Sequence, residues 1–313
     1  MILGLALYGR WRLRALVDMD TIQIETDTAC TNSCSNCTRF CGHKLAWFIS
    51  EGDFKRAVDS MIGYPKMIGF MGGEPLLHPK FEEFCKYAVS KIPKEHWGLW
   101  TSLPKGYEHY RNVICETFEH IFVNDHTRDD IYHHPFLVAI DEVFTEDERK
   151  EMWYSIDRCC FQMSWSASIN PHGAFFCEVA ASLSMLLDMD GGWPVEPGWW
   201  WRTTKDFREQ IEQYCPMCGG SIPLKRRVST EGIDDISPQN LGRIKSFSKK
   251  VAGDKYKVHD LKLTHPEDQE PLAAYKDWWW RNKVSRRYGI YQSMNEQRFL
   301  TPYLLKNWGR DER

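Results

Sequence analysis

Residues 20–37 read DTIQIETDTACTNSCSNC, and residues 66–75 read KMIGFMGGEP. The first stretch opens with β-branched residues alternating with polar ones over Asp20–Thr26, the pattern of a strand, and runs straight into a cysteine loop. The second is a short apolar run that ends at Gly72-Gly73. Between them, Asp53 can cap a helix through Met61. The alternation continues downstream. His78–Ser90 reads as a helix with Pro79 in its first turn, Trp97–Ser102 as a strand, Tyr107–Phe118 as a helix and His120–Val123 as a strand. Strand, helix, strand at this spacing implies parallel βαβ units. Phe136–Phe144 with Glu146–Asp157 reads as one more strand–helix pair, and Trp165–Ile169 as another strand. Six such strands predict an α/β protein built on an open, partial (β/α)6 barrel of parallel strands.

Composition bounds the rest. The 313 residues are 42% hydrophobic and 27% charged, which excludes a disordered or fibrous chain. A net charge of −3 demands no polyanionic partner, so no nucleic acid is expected. No apolar run approaches the roughly 18–20 residues of a membrane span. The apolar stretch Met1–Tyr8 is followed by Arg10, Arg12 and Arg14, the reverse of a signal peptide, and reads as a first helix or strand packed on the body. A reducing, cytoplasmic compartment is therefore expected. There the 11 cysteines read as metal ligands or catalytic thiols before disulfides.

Cys30, Cys34 and Cys37 form C-x3-C-x2-C in the loop after the first strand, the carboxyl end at which parallel α/β folds build sites. Three thiolates so close together can hold three irons of a cubane cluster and leave the fourth open. Zinc would want a fourth local ligand, which Cys41 or His43 could supply. A redox dithiol would use only two of the thiols. Gly72-Gly73-Glu74-Pro75 follows the next strand, where glycines let backbone approach a ligand and strand-end carbonyls beside Glu74 suit an ammonium group.

On these residues the chain resembles the radical S-adenosylmethionine superfamily, over about residues 20–170. The resemblance implies a [4Fe–4S] cluster on Cys30, Cys34 and Cys37 that binds S-adenosylmethionine at its open iron. It places Gly72, Gly73, Glu74 and Pro75 at the methionyl amine. Thr101, Ser102 and Asn124, at the ends of the third and fourth strands, fall where such enzymes bind ribose and carboxylate. A flavodoxin or ferredoxin-type electron donor is implied too. One departure is Asn36, where the family commonly carries an aromatic residue before the third cysteine.

From about Cys159 the character changes. Asn170–Gly173 reads as a hairpin tip between Ser166–Ile169 and Ala174–Phe176, followed by a helix over Val179–Leu187, an aromatic loop over Gly191–Trp201 and a helix over Thr203–Gln213. Cys159, Cys160, Cys177 and the C-x2-C pair Cys215 and Cys218 remain. This pattern resembles the twitch domain, the short form of the SPASM extension, whose four cysteines hold one auxiliary [4Fe–4S] cluster. Cys159 and Cys160 compete for one place. Cys159 is preferred, because its offset to Cys177 resembles that of the cyclitol-dehydrogenating members. A zinc knuckle is the alternative. The expected organisation is a barrel over 1–158, an auxiliary-cluster annex over 159–222, and a basic, Trp-containing surface extension over 223–313.

Other residues carry secondary readings. Asp125 or His126, past the fourth strand, could take a substrate hydroxyl proton. Glu178 follows Cys177 and should sit near the auxiliary cluster. Arg158 and Arg202 could pair with a substrate anion. Trp193 and Trp199–Trp201 could stack on a sugar ring or simply pack. Trp278–Trp280 could dock the tail. Cys85 and Cys115 read as core, and Cys41 as a thiol able to return hydrogen to a substrate radical. The function expected from the resemblance is oxidation of a sugar, cyclitol or sugar conjugate, a small-molecule or glycan substrate. An epimerase, a peptide maturase or a non-catalytic zinc-binding interaction protein are the alternatives.

Overall fold

The computed structural model describes residues 15–159, 161, 166–264 and 305–309. The readings for Met1–Tyr8, Cys160 and Trp278–Trp280 lie outside them. The strands are β1 (Thr21–Glu25), β2 (Met67–Met71), β3 (Trp97–Thr101), β4 (His120–Val123), β5 (Tyr132–His133), β6 (Ser166–Asn170), β7 (Gly173–Phe175), β8 (Arg227–Val228), β9 (Asp234–Ile236) and β10 (Tyr256–Val258). The helices are α1 (Glu51–Ser60), α2 (Phe81–Lys91), α3 (Arg111–Thr117), α4 (Ile140–Val143), α5 (Arg149–Ile156), α6 (Glu178–Leu187), α7 (Arg208–Tyr214), α8 (Pro238–Ile244) and α9 (Lys249–Ala252).

A mostly parallel, six-stranded sheet in the order β4-β3-β2-β1-β6-β7 organises the molecule, consistent with a partial barrel. β1 pairs parallel with both β2 and β6, and only β7 runs antiparallel, as the return arm of a hairpin with β6. All five residues of β1 are buried, so its alternation separates two covered faces. Ile22 and Ile24 join the hydrophobic core. Gln23 and Glu25 point the other way, into a buried polar network described below.

The core lies under α1 and α2, where Phe54 stacks on Phe84 at 3.8 Å and Phe70 meets Phe54, Trp97 and Phe118 edge-on. Each such ring contributes about 1.5–3 kcal/mol by leaving water. Ser50 rather than Asp53 caps α1, its Oγ accepting the Asp53 amide at 3.1 Å.

Two sequence expectations are corrected. Phe136–Phe144 is not a strand: Phe136–Ile140 is buried as expected of its apolar run, but Ile140–Val143 is helical. Backbone groups of residues 136–139 are satisfied by later segments instead of a neighbouring strand. Phe136 O accepts from the Gly219 amide, Leu137 O from the Ser237 amide, and the Ala139 amide donates to Ser237 Oγ. An apolar run reports burial, not the identity of its hydrogen-bond partner. The sheet therefore has five parallel strands, and the last of them lies beside β1.

The second correction concerns residues after Pro223. Residues 227–258 are not a surface extension but carry β8–β10, α8 and α9, which fold back over the cysteine loop. Farther on, Trp308 is buried with its indole N–H on Pro104 O at 3.1 Å, and Leu305 joins the core. Among the described residues no helix is long and apolar enough to cross a membrane.

Candidate active site

The loops after β1, β2, β3 and β4 open onto one cavity of 330 Å³. Cys30, Cys34 and Cys37 line it, together with Gly72, Gly73, Glu74, Thr101, Ser102, Asn124 and His126. Residues from four separate loops thus meet at the carboxyl ends of parallel strands, where each strand must turn and its backbone is free to build a site. Pro75 opens the turn Pro75–Leu77 just behind. Asp125 is not part of the lining. It is exposed and accepts from the amide and hydroxyl of Thr127, an ordinary loop cap.

The three thiols feel one another. Burial, together with the charge of Cys37, pushes Cys30 and Cys34 up to about 12. Cys37 is pulled down, chiefly by a hydrogen bond from the buried Cys41 thiol, which is itself pushed up. Cys41 thus sits behind Cys37 and outside the cavity lining. His43 has both ring nitrogens engaged, Nδ1 with Ser248 Oγ at 2.7 Å and Nε2 with Asp234 Oδ2 at 2.8 Å. The fourth local ligand that zinc would want is therefore not on offer from His43. Among the described residues no three His, Cys, Asp or Glu close on a point in the way one metal ion requires. A cubane gives each thiolate its own iron, so three spaced thiols on one cavity wall fit it. Cys30 and Cys34, buried thiols that resist ionisation alone, are also suited to a positively charged group that shares their negative charge.

Gly72 and Gly73 also have a packing reason. A β-carbon on Gly72 would stand 2.5 Å from Asp27 O, and one on Gly73 would stand 2.2 Å from Ala29 O. The glycines let the second loop lie directly on the first, which the amide bonds Gly73→Asp27 O and Glu74→Ala29 O then fasten. Glu74 is 1% exposed. Its carboxylate accepts from Thr101 Oγ1, Ser102 Oγ and the Ser102 amide, each at 2.7 Å. Burial raises Glu74, and these donors oppose the rise. Glu74, Thr101 and Ser102 are thus brought together as one hydrogen-bonded unit joining the ends of β2 and β3.

Beneath this unit Asp27 is fully buried, with Oδ2 accepting from Thr26 Oγ1 at 2.7 Å and Oδ1 unpartnered. Burial pushes it up from 3.8 to about 8. The folded chain therefore holds a proton that the unfolded chain has released between about pH 4 and pH 8. Stability should fall as pH rises through that window, at on the order of 1 kcal/mol per unit. Asp27→Asn should remove this dependence. Urea unfolding of both proteins at pH 6, 7 and 8 checks it, and parallel curves would refute it.

The second cysteine group also gathers. Cys159 follows α5, Cys177 precedes α6, and Cys215 and Cys218 bound a turn after α7. Cys177 is pushed up by burial and then by the charges of Cys159 and Cys218. Cys215 is raised by burial and by Cys159, Cys218 and Cys177. Four thiols within electrostatic reach of one another form the number that closes a cubane. The knuckle is fixed by Asn240, whose Nδ2 donates to Met217 O at 2.8 Å.

Arg39 and Glu178 run between the two groups. Arg39, two residues after Cys37, donates to Glu25 at 2.7 Å and to Glu178 at 3.2 Å, and also to Gln23 Oε1. Glu178, immediately after Cys177, also accepts from Ser166 Oγ. All of these groups are buried.

The remaining residues fall elsewhere. Arg158 lies over the Tyr154 ring and donates to Tyr154 O, and Arg202 donates to Trp199 O and lies over the Trp193 ring. Trp199 and Trp200 are buried, Trp201 is 62% exposed, and none of the four loop tryptophans lines the cavity. Trp193, Trp199 and Trp200 pack, Trp200 on Tyr64. Cys85 is core, but Cys115 is exposed. Sequence reading missed Arg39, Trp100, His133 and His134 in the cavity wall. Only Trp100 left a signal, since Gly69 on the neighbouring strand is bare where a β-carbon would stand 2.3 Å from the Trp100 ring.

No protein-family model matches the chain, and no curated protein matches it. Among solved structures it is similar to BtrN in complex with AdoMet and 2-DOIA, at 13% identity over 64% of this chain and 88% of that one, with a TM-score of 0.41. It is also similar to BtrN in an open conformation, at 15% identity over 51% and 70% of the two chains, with a TM-score of 0.36. Likenesses this loose leave the chemistry to be read from the cavity's own residues.

Proposed function

We propose that this chain is a radical S-adenosylmethionine enzyme that oxidises a carbinol carbon of a sugar, cyclitol or sugar conjugate. The observation that carries the reading is the meeting of Cys30, Cys34 and Cys37 with the Glu74–Thr101–Ser102 unit on one cavity wall. When bound, the groups these residues fit would supply a 5′-deoxyadenosyl radical for hydrogen abstraction and, at Cys159, Cys177, Cys215 and Cys218, an acceptor for the remaining electron.

The chain's own residues supply the rest. Gly72 and Gly73 offer backbone carbonyls, and Asn124 its side-chain amide, at the cavity wall for the cofactor's polar atoms. Glu74 holds Thr101 and Ser102 in fixed rotamers, so the end of β3 is ordered before anything binds. His126 is the base. Burial pulls it down to about 4, so its imidazole is neutral at pH 7, and its buried Nδ1 has no partner. A neutral imidazole in the cavity wall can take the hydroxyl proton. His133 stacks edge-on at 4.8 Å and is itself tied to Ser35 O, which limits His126's motion. Trp100, stacked on Phe122, gives the cavity an apolar wall.

The position of Cys41 favours oxidation over epimerisation. An epimerase needs a donor that reaches the substrate radical, and Cys41 lies behind Cys37. Anaerobic reconstitution tests the proposal. Iron and sulfide should reach about eight per chain, two cubanes, and S-adenosylmethionine with dithionite should yield 5′-deoxyadenosine. About four irons would remove the electron acceptor and with it the oxidase half. Colourless protein holding zinc, with no deoxyadenosine, would overturn the whole reading.

A further inference from the structure

The segment 229–250 touches the cysteine loop at several points. The Ser35 amide donates to Ser229 O, the Ile233 amide to Ser35 Oγ and the Lys249 amide to His43 O. Asn36 turns left-handed at φ 49° and buries its side chain. Its Oδ1 accepts the Asp235 amide at 2.8 Å, and its Nδ2 donates to Asp235 Oδ2 at 2.9 Å. Asp235 is in turn gripped by Arg227 through two bonds of 2.9 and 2.6 Å. At the position where an aromatic residue was expected, this chain thus places a docking side chain that faces protein.

At the centre lies a buried ion pair. Lys250, 5% exposed, donates to Asp234 Oδ2 at 2.9 Å, to Asp234 Oδ1 at 3.0 Å and to Cys34 O at 2.9 Å. Asp234 Oδ1 also accepts the Asn36 amide at 2.5 Å, and its Oδ2 bonds His43. The lysine stem packs on Gly42, its Cε 3.5 Å from where a β-carbon would stand. A carboxylate and an ammonium buried without full hydrogen-bond complements would cost stability. Here, apart from each other, their side-chain partners are backbone or side-chain groups of the cysteine loop. The pair's placement is therefore explained by what it holds.

We propose that Asp234 and Lys250 are positioning residues that preorganise the Cys30–His43 loop in its ligand-presenting conformation before any metal arrives, and that Lys250 offsets the Asp234 charge beside Cys34. This deepens the cluster reading above and rests on it only for the charge effect. Preorganisation is a property of the metal-free chain. It follows because the Ser35 and Asn36 amides and the Cys34 and His43 carbonyls are already bonded to the 229–250 segment.

Hydrogen exchange on the full-length, metal-free protein tests it. The bonded amides of this loop, those of Ser35, Asn36, Phe40 and His43, should be protected within about tenfold of those of β1. Lys250→Met should speed their exchange about tenfold or more, since it removes bonds to a charged group, while β1–β4 amides change less than about twofold. Asp234→Asn should give the same pattern. A loop that exchanges freely in the wild-type chain overturns the proposal without any variant, as does a Lys250→Met loop indistinguishable from wild type. On reconstituted protein, Lys250→Met should also move the reduction potential of the N-terminal cluster to more negative values, which loss of packing alone would not direct. An unmoved potential overturns the charge role. If wild-type protein takes up no iron yet protects the loop, the proposed function fails and the preorganisation stands.

Discussion

Alanine at Cys34 is expected to leave the protein without N-terminal iron and without S-adenosylmethionine cleavage, with the deoxyadenosine yield at the level of a control lacking the chain. The reason is the count of donors. Cys30, Cys34 and Cys37 are the three cavity thiols on this loop, His43 is committed to Asp234 and Ser248, and Cys41 stands behind Cys37. Among the described residues this loop has no other thiol or imidazole free to replace a lost sulfur. The second cysteine group is built on other elements, so iron should fall by about half and not vanish, to roughly four per chain. Cys115→Ser is the matched control, because that thiol is exposed and outside the cavity. It should keep full iron content and full cleavage. Retention of both properties by Cys34→Ala would sink the assignment, and so would spectroscopic evidence that Cys41 closes the fourth iron.

The largest loss of stability is expected from Arg39→Met. It strips the counterion from Glu25 and Glu178, which are 2% and 3% exposed. Removing one partner of a buried ion pair typically costs 3–5 kcal/mol, because the other charge stays buried and unpaired. For a chain of 313 residues that lowers the melting temperature by roughly 5–8 °C. The pH dependence gives the cause away. Burial raises Glu25 above its usual 4.5, and Arg39 is the main force opposing that rise. Without Arg39 the folded state takes up a proton more readily than the unfolded chain does. The variant's deficit should therefore shrink as pH falls from 7 toward 5. Thermal melts at both pH values measure it. A deficit constant with pH would mean that lost packing, not charge, is responsible. Glu178→Gln added to Arg39→Met should recover part of the loss, because it removes one of the two stranded carboxylates.

Much of this was legible from local sequence. The alternation in TIQIE gave a strand, and the apolar run MIGFM gave its neighbour. Asn170–Gly173 gave the tip of the β6–β7 hairpin. The cysteine spacing placed three thiols in one loop, and chain order put that loop at a carboxyl end. What went wrong had a common cause. Phe136–Phe144 was apolar enough for a strand, but its carbonyls bond Gly219, Ser237 and Asn240. Asp125 had the right chemistry one residue from His126, yet successive residues in that turn face opposite ways, and only His126 lines the cavity. The aromatic loop looked like a sugar platform because tryptophan suits both stacking and packing, and only burial distinguishes the two.

The amino-acid order by itself determined what is short-range: strands and helices from period, turns from glycine, and thiols close together because few bonds separate them. Tertiary structure alone decided what joins residues about 200 positions apart. No local pattern in residues 223–264 announces that Asp234 and Lys250 will close over Cys34 and Asn36, nor that Glu25, Arg39 and Glu178 will share one buried site. Those contacts exist because a buried charge must find its opposite and a buried amide its acceptor, wherever in the chain the partner lies.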